Sequence, residues 1–504
     1  MRFGRGGSRT ASTLLALAIA TGCTHAAPAT APEPNSRAER SLAGDLDRIF
    51  SAPLTAQALW GVQVKSLETG RILYSRNPVT LLMPASNMKI LTVAAAAEAL
   101  GWDYRFKTTL EAAGPIDGGV LRGDLIVRGT GDPTINSRGN RADAVFDDWT
   151  TALKAAGITR ITGAIVGDDD AFDDVGLGQG WSWDYLQDGY AAPVGALELN
   201  ENVAKLLVRP APNPGEPLLL ELTDGAGFRI VNRTTTGPPE TAASVQFERH
   251  AKVHEGAILE VTGSLAAGAG SISRDVAVVN PTFFFARGLR AALASRGIDV
   301  TDFTADIDEW AKVEDAPSRR VIAETLSPPL RDIATVTMKV SQNLYAETLL
   351  KAAGAAGGRE GTAASGRAAA REVFTGWNIA PGTYVQADGS GLSRYDYVTP
   401  ATIVTILERL HADPRHRDAF VATLPIAGKD GTISTRMRGT RAEANAVAKT
   451  GSISNVRALS GYVRTRDGEL LAFSILANNF SIPAATVNWM ADLAVETLAN
   501  YTRR

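Results

Sequence analysis

The pattern of apolar and polar positions changes its period several times along the chain. Residues 60–66 and 71–75 are short runs typical of β-strands, and residues 67–70 between them end in the glycine of a hairpin turn. Residues 90–100 are rich in Ala and Leu, which predicts a helix that ends at Gly101. The folded part of the chain therefore begins with two antiparallel strands and a helix.

A long middle segment has the pattern of β-structure. Between residue 109 and about residue 278, short apolar runs are separated by Gly, Pro and Asp. The clearest runs cover residues 125–128, 164–166, 206–209, 218–222 and 257–262. We expect one or two β-rich domains in residues 109–278, inserted into a larger domain.

After Asn280-Pro281 the chain again shows the helix and strand patterns seen in residues 60–100. Helices are predicted at 282–293 and 483–501, and strands at 446–450, 460–464 and 470–477. The predicted fold class is α+β, with a five-stranded antiparallel sheet flanked by helices and both chain ends contributing to that sheet. This domain comprises residues 41–108 and 279–504.

The length of the chain indicates how many domains it has, and its charge excludes one class of function. The 504 residues exceed what a single hydrophobic core supports, so more than one domain is expected. The chain has 51 basic and 54 acidic side chains, which gives no strong field of either sign. This balance argues against a dedicated nucleic-acid-binding protein.

The first 23 residues have the features of an export leader. Arg2, Arg5 and Arg9 precede an apolar run at 11–20. This run is shorter than the roughly 20 residues that span a bilayer as a helix, so we interpret residues 1–23 as a cleaved leader. The mature chain is therefore expected outside the cytoplasm, in the periplasm.

Cys23 is the only cysteine, so no internal disulfide is possible. Residues 20–23 resemble a bacterial lipoprotein processing site, in which the cysteine is acylated and becomes the mature N-terminus. Lipidation of Cys23 would anchor the protein to a membrane, whereas in an ordinary secretory leader this cysteine has no role. Residues 24–40, rich in Ala, Pro and Thr near their start, are predicted to be a flexible tether.

Ser86 and Lys89 form a candidate nucleophile and base. They lie at the start of the helix predicted over 90–100, and their spacing of three places both on one helix face. A serine hydroxyl needs an adjacent base to attack a carbonyl, and a lysine serves as that base when its pKa is lowered. This pattern occurs by chance on many solvated helices, so further motifs are needed.

Two further motifs follow. Ser341-Gln342-Asn343 comes after a helical pattern at 330–340, and Lys449-Thr450-Gly451 follows a strand-like run. The order Ser-x-x-Lys, Ser-x-Asn, Lys-Thr-Gly is shared by penicillin-binding proteins and β-lactamases. We predict that Ser341 relays a proton to the leaving amine and that Asn343 binds a substrate amide. Lys449 is predicted to hold a substrate carboxylate and to lower the pKa of Lys89.

With these motifs the sequence resembles the class C low-molecular-mass penicillin-binding proteins, which are D-alanyl-D-alanine carboxypeptidases and endopeptidases. The resemblance runs from about residue 41 to the end. Segments similar to that family cover residues 84–89, 129–133, 327–330, 343–347 and 388–394. Gln342 departs from the family, which more often has Asp or Asn between the serine and the asparagine.

The resemblance implies that residues 41–108 and 279–504 form a transpeptidase-like catalytic domain, of the penicillin-binding or serine β-lactamase-like kind, with Ser86 as nucleophile. It implies an oxyanion hole formed by the backbone N–H groups of Ser86 and Ser452. The hydroxyls of Thr450 and Ser452 then bind the terminal carboxylate, and Gly451 lets the substrate approach the strand. The implied substrates are peptidoglycan peptides ending in D-Ala-D-Ala, the inhibitors are β-lactam antibiotics, and no cofactor is implied.

Other functions remain as alternatives. Glu198-Leu-Asn200 resembles a deacylating loop of some β-lactamases, but Ala196 stands where the catalytic glutamate lies in that loop, and the segment precedes Ser341. We therefore reject a β-lactamase with that loop. An esterase or D-aminopeptidase on the same nucleophile, or a non-catalytic wall-binding lipoprotein, is the remaining alternative.

No metal site is predicted. The acidic residues at 168–170 and 173–174 lack the spacing of an EF-hand loop, and we interpret them as a solvated loop. His250 and His254 are four residues apart, but Ala251 stands where a zinc protease carries its glutamate.

Overall fold

A computed structural model describes residues 36–223, 227–252, 256–301, 303–310 and 319–503. The predicted leader, Cys23 and the tether up to residue 35 lie outside these ranges. Within them, no helix is both long and apolar enough to cross a membrane.

The catalytic domain takes its elements from both ends of the described chain. Its first elements are α1 (Arg37–Phe50), β1 (Leu59–Ser66), β2 (Ile72–Arg76) and α2 (Met88–Leu100). The middle of the chain forms β3 (Lys107–Ala113), β4 (Ile116–Asp117), β5 (Val120–Leu121), β6 (Asp124–Gly129), α3 (Arg141–Ala155), β7 (Arg160–Ile161), β8 (Ile165–Asp168), β9 (Val203–Arg209), β10 (Leu219–Leu222), β11 (Phe228–Gly237), β12 (Gln246–Lys252), β13 (Gly256–Ala266), β14 (Ile272–Ala277), α4 (Pro281–Ser295), β15 (Asp299–Val300), β16 (Thr304–Asp306) and β17 (Arg319–Leu326). The last elements are α5 (Leu330–Lys339), α6 (Asn343–Ala355), α7 (Ala363–Gly376), β18 (Tyr384–Val385), β19 (Tyr397–Val398), α8 (Pro400–Ala412), α9 (Arg417–Thr423), β20 (Val447–Ile453), β21 (Val456–Arg464), β22 (Leu470–Asn478) and α10 (Ala484–Asn500).

Five antiparallel strands form the central sheet of the catalytic domain, in the order β2-β1-β22-β21-β20. The predicted sheet built from both chain ends is therefore confirmed. One face packs on α1 and α10, and the other face packs on helices that include α2 and α8. Since β20 is an edge strand, an extended peptide can align on its outer side beyond its start, where residues 425–427 already pair with Val447 and Ala448.

Helix α1 corrects the predicted extent of the tether. Residues 37–40 are helical, because the Ser36 hydroxyl caps the helix by accepting from the N–H of Glu39. Leu42, Leu46 and Phe50 then bury one face of α1 against the central sheet. Residues 37–40 thus belong to the folded domain, which the sequence predicted to begin at residue 41.

The inserted segment contains two units, one nested within the other. The outer unit has the sheets β16-β8-β6-β3-β17 and β15-β7-β5-β4, packed on α3 and α4. The inner unit, from β9 to β14, contains two three-stranded sheets around their own apolar core. The sequence predicts the β-rich composition correctly, but α3 and α4 make the outer unit mixed in class.

The helix predicted at 282–293 belongs to the insertion and not to the catalytic domain. Phe284, Phe285 and Leu289 of α4 are buried in the same core as Trp149 of α3. The strands that follow α4 also return to the insertion, because β16 pairs with β8 and β17 pairs with β3. The predicted boundary at residue 279 is therefore wrong, and the chain re-enters the catalytic domain only after Leu326.

Candidate active site

Ser86 lies in a single 3-10 turn, Ala85–Asn87, that leads directly into α2. This turn places the Ser86 hydroxyl 2.9 Å from Nζ of Lys89 on the first turn of the helix. The N-terminus of α2 carries the positive end of the helix dipole, which favours negative charge beside Ser86. The spacing of three residues thus produces the contact that the sequence predicts.

The Lys89 amine is buried and lies within hydrogen-bonding distance of three oxygen atoms, one of which is Oγ of Ser86. Nζ lies 2.6 Å from Oδ1 of Asn343 and 2.8 Å from the carbonyl oxygen of Ser390. A neutral amine donates its two hydrogens to these oxygens and keeps its lone pair for the Ser86 hydroxyl. This arrangement is the geometry of a base next to its nucleophile.

Burial also sets the proton affinity of Lys89. It lowers the pKa of Lys89 to about 7, while the carboxylates of Asp388, Glu347 and Asp396 act in the opposite direction. Burial is thus the leading cause of the shift, and the charges that act on Lys89 most strongly are carboxylates and not the predicted charge of Lys449. Lys89 is therefore able to lose its proton near neutral pH.

Lys449 and Ser341 form a second pair on the other side of the site. Nζ of Lys449 donates to Oγ of Ser341 at 2.9 Å and to the carbonyl oxygen of Thr450 at 2.9 Å. Burial and the charge of Lys89 lower the pKa of Lys449 well below its usual value. A lysine so paired is placed to exchange a proton with Ser341.

The loop between α5 and α6 presents Ser341 and Asn343. Ser341 has a φ of +62°, which turns the chain sharply before Asn343 begins α6. Asn343 accepts from Lys89 and donates from Nδ2 to the carbonyl oxygen of Tyr190 at 2.7 Å. The three motifs, separated by up to 363 positions in the sequence, thus meet in one place.

Strand β20 is fastened directly to the segment that carries Ser86. Nδ2 of Asn87 donates to the carbonyl oxygen of Lys449 at 2.9 Å. A Cβ atom at Gly451 would lie only 2.4 Å from the carbonyl oxygen of Pro84. Glycine at 451 therefore lets β20 approach the Ser86 segment, which is a different role from the substrate approach expected from the sequence.

Ser86 opens into a cavity of about 320 Å³ that also exposes Ser341, Asn343 and Ser452. The Thr450 hydroxyl instead bonds to Oγ1 of Thr432 at 2.8 Å. The remaining lining residues, of which only Gly391 and Leu392 lie in a segment that resembles the family, are Tyr185, Tyr190, Gly391, Leu392, Ile453 and Ser454. Tyr185 and Tyr190 come from the inserted segment, so the insertion forms one wall of the site.

A buried group of carboxylates holds the loop behind Lys89. Glu347 accepts from the N–H groups of Gly389 and Ser390, each at 2.8 Å, and Asp388 accepts from the N–H of Gly391 at 2.6 Å. These bonds fix the carbonyl oxygen of Ser390 against Lys89. Burial, reinforced by the charge of Asp388, raises the pKa of Glu347 to about 8.

Gln342 connects the second motif to the insertion. Its Nε2 donates to Oε2 of Glu201 at 2.5 Å, and its Oε1 accepts from the N–H of Leu344 at 3.0 Å. Glu201 is held in turn by Arg138, whose Nε lies 2.5 Å from Oε1. The residue that departs from the family pattern therefore caps α6 and ties it to the inserted unit.

The acidic residues at 168–170 and 173–174 form a solvated loop only in part, since Asp170 and Asp174 are exposed. Asp168 is buried and lies 2.8 Å from Nη1 of Arg319, and Asp173 lies 2.6 Å from Nζ of Lys351 on α6. These aspartates are ion-pair partners that hold parts of the fold together. Glu198 is also buried and accepts from the Thr348 hydroxyl at 2.8 Å.

Comparison with known proteins shows the family to which the chain belongs. The model of the D-Ala-D-Ala carboxypeptidase 3 (S13) family matches residues 42–500. A D-alanyl-D-alanine carboxypeptidase of Actinomadura sp. is 34% identical over 512 residues, which covers 99% of this chain and 92% of the relative. The D-alanyl-D-alanine carboxypeptidase DacB of Haemophilus influenzae is 30% identical, over 84% of this chain and 85% of the relative.

The solved structures show the same relationship. The crystal structure of penicillin binding protein 4 from Haemophilus influenzae superposes with a TM-score of 0.77 at 28% identity, covering 90% of this chain and 97% of the other. The structure of that protein complexed with a β-lactam superposes with a TM-score of 0.73, at 27% identity and over 91% of this chain and 99% of the other. The penicillin-binding, β-lactamase-like fold predicted from the sequence is thus confirmed. This chain belongs to the D-Ala-D-Ala carboxypeptidase 3 (S13) family.

Proposed function

We propose that this serine-type peptidase cleaves peptidoglycan peptides ending in D-Ala-D-Ala through an acyl-enzyme on Ser86. Lys89 removes the hydroxyl proton as Oγ of Ser86 attacks the carbonyl carbon between the two alanines. The N–H groups of Ser86 and Ser452 stabilise the oxyanion, a contribution of about 3 kcal/mol for each such donor. The new bond joins Oγ to the acyl carbon while the amide nitrogen prepares to leave.

Ser341 and Lys449 complete the reaction in this proposal. The leaving nitrogen takes a proton from the Ser341 hydroxyl, which Lys449 replenishes, and the C–N bond breaks. Asn343 binds an amide of the substrate, and Lys449 with the Ser452 hydroxyl holds the terminal carboxylate. Water then attacks the ester carbonyl and gives a proton to Lys449 through the Ser341 hydroxyl, while Lys89 returns its proton to Oγ of Ser86 as the ester bond breaks, which restores the enzyme. A β-lactam enters the same path but leaves its amine tethered to the acyl group.

The observation that carries this proposal is the environment of Lys89. Its amine has two acceptors for the hydrogens of the neutral form, the Ser86 hydroxyl at 2.9 Å, and a pKa lowered to about 7 by burial. A solvated lysine three residues after a serine has none of these features. Glu198, buried against Thr348, gives no support to a β-lactamase mechanism.

A peptide assay tests the proposed function. Protein lacking residues 1–23 is expected to release D-alanine from a disaccharide pentapeptide ending in D-Ala-D-Ala, and preincubation with benzylpenicillin should stop the release. The matched control is the same peptide ending in D-Ala-L-Ala, which should remain intact. Release of an N-terminal D-alanine in place of the C-terminal one, or no release by penicillin-reactive protein, would contradict the assignment.

We also propose that lipidation of Cys23 anchors the protein to a membrane. The proposal rests on residues 20–23, which resemble a lipoprotein processing site. Replacing Cys23 by Ser is expected to move the protein from the membrane fraction to the soluble extracytoplasmic fraction. Unchanged partitioning of the Cys23→Ser protein in cells that process other lipoproteins would count against the anchor.

A further inference from the structure

Trp183 has the highest exposed fraction of the large apolar side chains in the described part of the chain. It is 83% exposed and begins the single 3-10 turn Trp183–Tyr185 of the inserted segment. One exposed apolar side chain is common on a protein surface and needs no function to explain it. The surroundings of Trp183 therefore decide whether it belongs to a binding site.

Trp183 lines a cavity of about 500 Å³, which we call the Trp183 cavity. Strands β12 and β13 of the inner unit add Gln246, Glu248, Glu260 and Thr262 to its lining. Gln246 pairs with Thr262 and Glu248 pairs with Glu260 across the two strands, so all four side chains share one face of the sheet. The volume is typical of a site for a small molecule.

The chemistry of the Trp183 cavity suits a sugar. The carboxylates of Glu248 and Glu260 accept hydrogen bonds from hydroxyl groups. The side-chain amides of Gln187 and Gln246, which make no hydrogen bond to another described residue, can both donate and accept. The face of the Trp183 ring carries partial negative charge and attracts the C–H groups on the apolar face of a pyranose. Hydroxyls and apolar C–H groups occur together on one ligand of this size in a sugar.

The turn that carries Trp183 also forms part of the cavity that exposes Ser86. Tyr185 lines that cavity, and its hydroxyl lies 3.1 Å from Oγ of Ser454. Two residues of chain span at most about 7 Å, so the backbone of Trp183 lies close to that of Tyr185. One turn of the chain thus separates the Trp183 cavity from the catalytic cavity.

The proposed mechanism sets the direction of a bound peptide. Strand β20 runs from Val447 to Ile453, and the terminal carboxylate of the substrate is held from Lys449. The N-terminal residues of the peptide then continue along the strand toward Ser454, where Tyr185 lies. In peptidoglycan that end of the peptide is joined to the glycan strand, about three residues or about 10 Å before the alanine that acylates Ser86. The attached sugar is therefore carried toward the turn at Trp183.

We propose that Trp183 and the facing side chains of β12 and β13 bind the N-acetylated sugar to which the peptide is attached. This inference rests on the proposed function. The sugar lies outside the reacting atoms, so its contacts add binding energy equally before and during the chemical step. The inserted segment thereby favours peptides that are still attached to the glycan strand over free peptides.

Paired substrates with and without the sugar test this inference. Wild-type protein is expected to have a kcat/KM about tenfold higher for the disaccharide pentapeptide than for the same pentapeptide with an acetylated N-terminus and no sugar. Trp183→Ala should lower the first value by about tenfold, chiefly through KM, and change the second by less than about twofold. Trp183→Tyr, which keeps an aromatic ring, should restore most of the loss.

Matched controls separate a sugar contact from a general effect of losing a tryptophan. Trp489 on α10 is 57% exposed and lines a different cavity, so Trp489→Ala should leave both values unchanged. Gln246→Ala removes one polar partner and should lower kcat/KM by about threefold for the disaccharide pentapeptide alone. Thermal unfolding checks that each variant is folded.

Direct binding gives a readout that does not depend on turnover. Acylation by benzylpenicillin occupies the cavity at Ser86 and leaves the Trp183 cavity open. Titration of the acylated protein with N-acetylglucosaminyl-N-acetylmuramic acid should change the tryptophan fluorescence of the wild type in a saturable way. The same titration of Trp183→Ala should give no saturable change.

The outcomes separate this inference from the proposed function. An equal loss on both peptides in Trp183→Ala would assign the turn to the peptide and overturn the inference, and so would unchanged cleavage of the disaccharide pentapeptide. A wild-type protein that cleaves both peptides equally well would overturn it while the proposed function stands. A penicillin-reactive protein that cleaves neither peptide would remove the proposed function and the inference with it.

Discussion

Replacing Ser86 by Ala is expected to leave a folded protein that forms no covalent adduct with benzylpenicillin. The side chain lost is a single hydroxyl at the start of α2, so the surrounding contacts of the helix are retained. Peptide hydrolysis should fall by about 10⁶-fold, the size of loss that follows removal of a catalytic serine. Intact mass spectrometry of wild type and variant after incubation with benzylpenicillin measures the adduct directly.

Ser454 provides the matched control for this experiment. It lines the same cavity, but its hydroxyl lies 3.1 Å from the hydroxyl of Tyr185 and makes no contact with Lys89 in the described structure. Ser454→Ala should form the adduct at nearly the wild-type rate. If the Ser86→Ala protein formed the benzylpenicillin adduct in undiminished yield, another residue would be the nucleophile and the proposed mechanism would be wrong.

The central sheet was predictable from sequence because its strands have strong local signals. Residues 60–66 and 71–75 flank a glycine turn, and they form a hairpin in which Val62 pairs with Arg76. The predicted runs at 460–464 and 470–477 likewise lie within β21 and β22. Hydrophobic periodicity predicts such strand pairs well when the two strands lie close together in the chain.

The domain boundary was not predictable, because α4 has the same local pattern in either domain. Its apolar face, which includes Phe285 and Leu289, fits any core of suitable shape. Contacts between distant parts of the chain, such as the pairings of β16 with β8 and of β17 with β3, assign this stretch to the insertion. A contact of such long range leaves no trace in the period of the local sequence.

The candidate site likewise contains residues that the sequence predicts and residues that it does not. Ser86, Lys89, Ser341, Asn343 and Lys449 carry motif patterns, and the structure brings all five together. Tyr190 and Glu201 carry no motif, because their roles depend on contacts with Asn343 and Gln342 across the domain interface. Gln342 is the exception, because its departure from the family pattern is visible in the sequence and its side chain contacts Glu201.

The insertion supports the site through α6 as well as through the cavity walls. Asp173 of the inserted segment pairs with Lys351, and Trp181 donates to Oδ2 of Asp388 at 2.8 Å. With the Gln342–Glu201 contact, these bonds reach both Asn343 and the loop that holds Ser390 against Lys89. The asparagine and the carbonyl oxygen that accept from Lys89 are thus both positioned in part by the inserted units.

Lys89→Met is expected to lower the rate of acylation by benzylpenicillin by about 10³-fold, because a general base of this kind contributes about 10² to 10⁴. Lys89→Arg keeps a cation that does not lose its proton, so it should be similarly slow. Stopped-flow or quenched mass spectrometry measures the acylation rate, and thermal unfolding checks that each variant is folded. Lys107→Met, which removes an exposed lysine of β3 paired with Glu324 at 3.5 Å, is the control and should acylate normally.

The pH profile distinguishes a base from a merely electrostatic lysine. Lys89 must be neutral to accept the Ser86 proton, and its pKa is lowered to about 7 by burial. The acylation rate of the wild type should therefore rise with pH, reach half its maximum near pH 7, and fall about tenfold per pH unit well below that point. Lys89→Arg should lack this inflection. A wild-type rate that stays flat between about pH 5 and pH 8, or an arginine variant that acylates normally, would mean that Lys89 acts only through its charge.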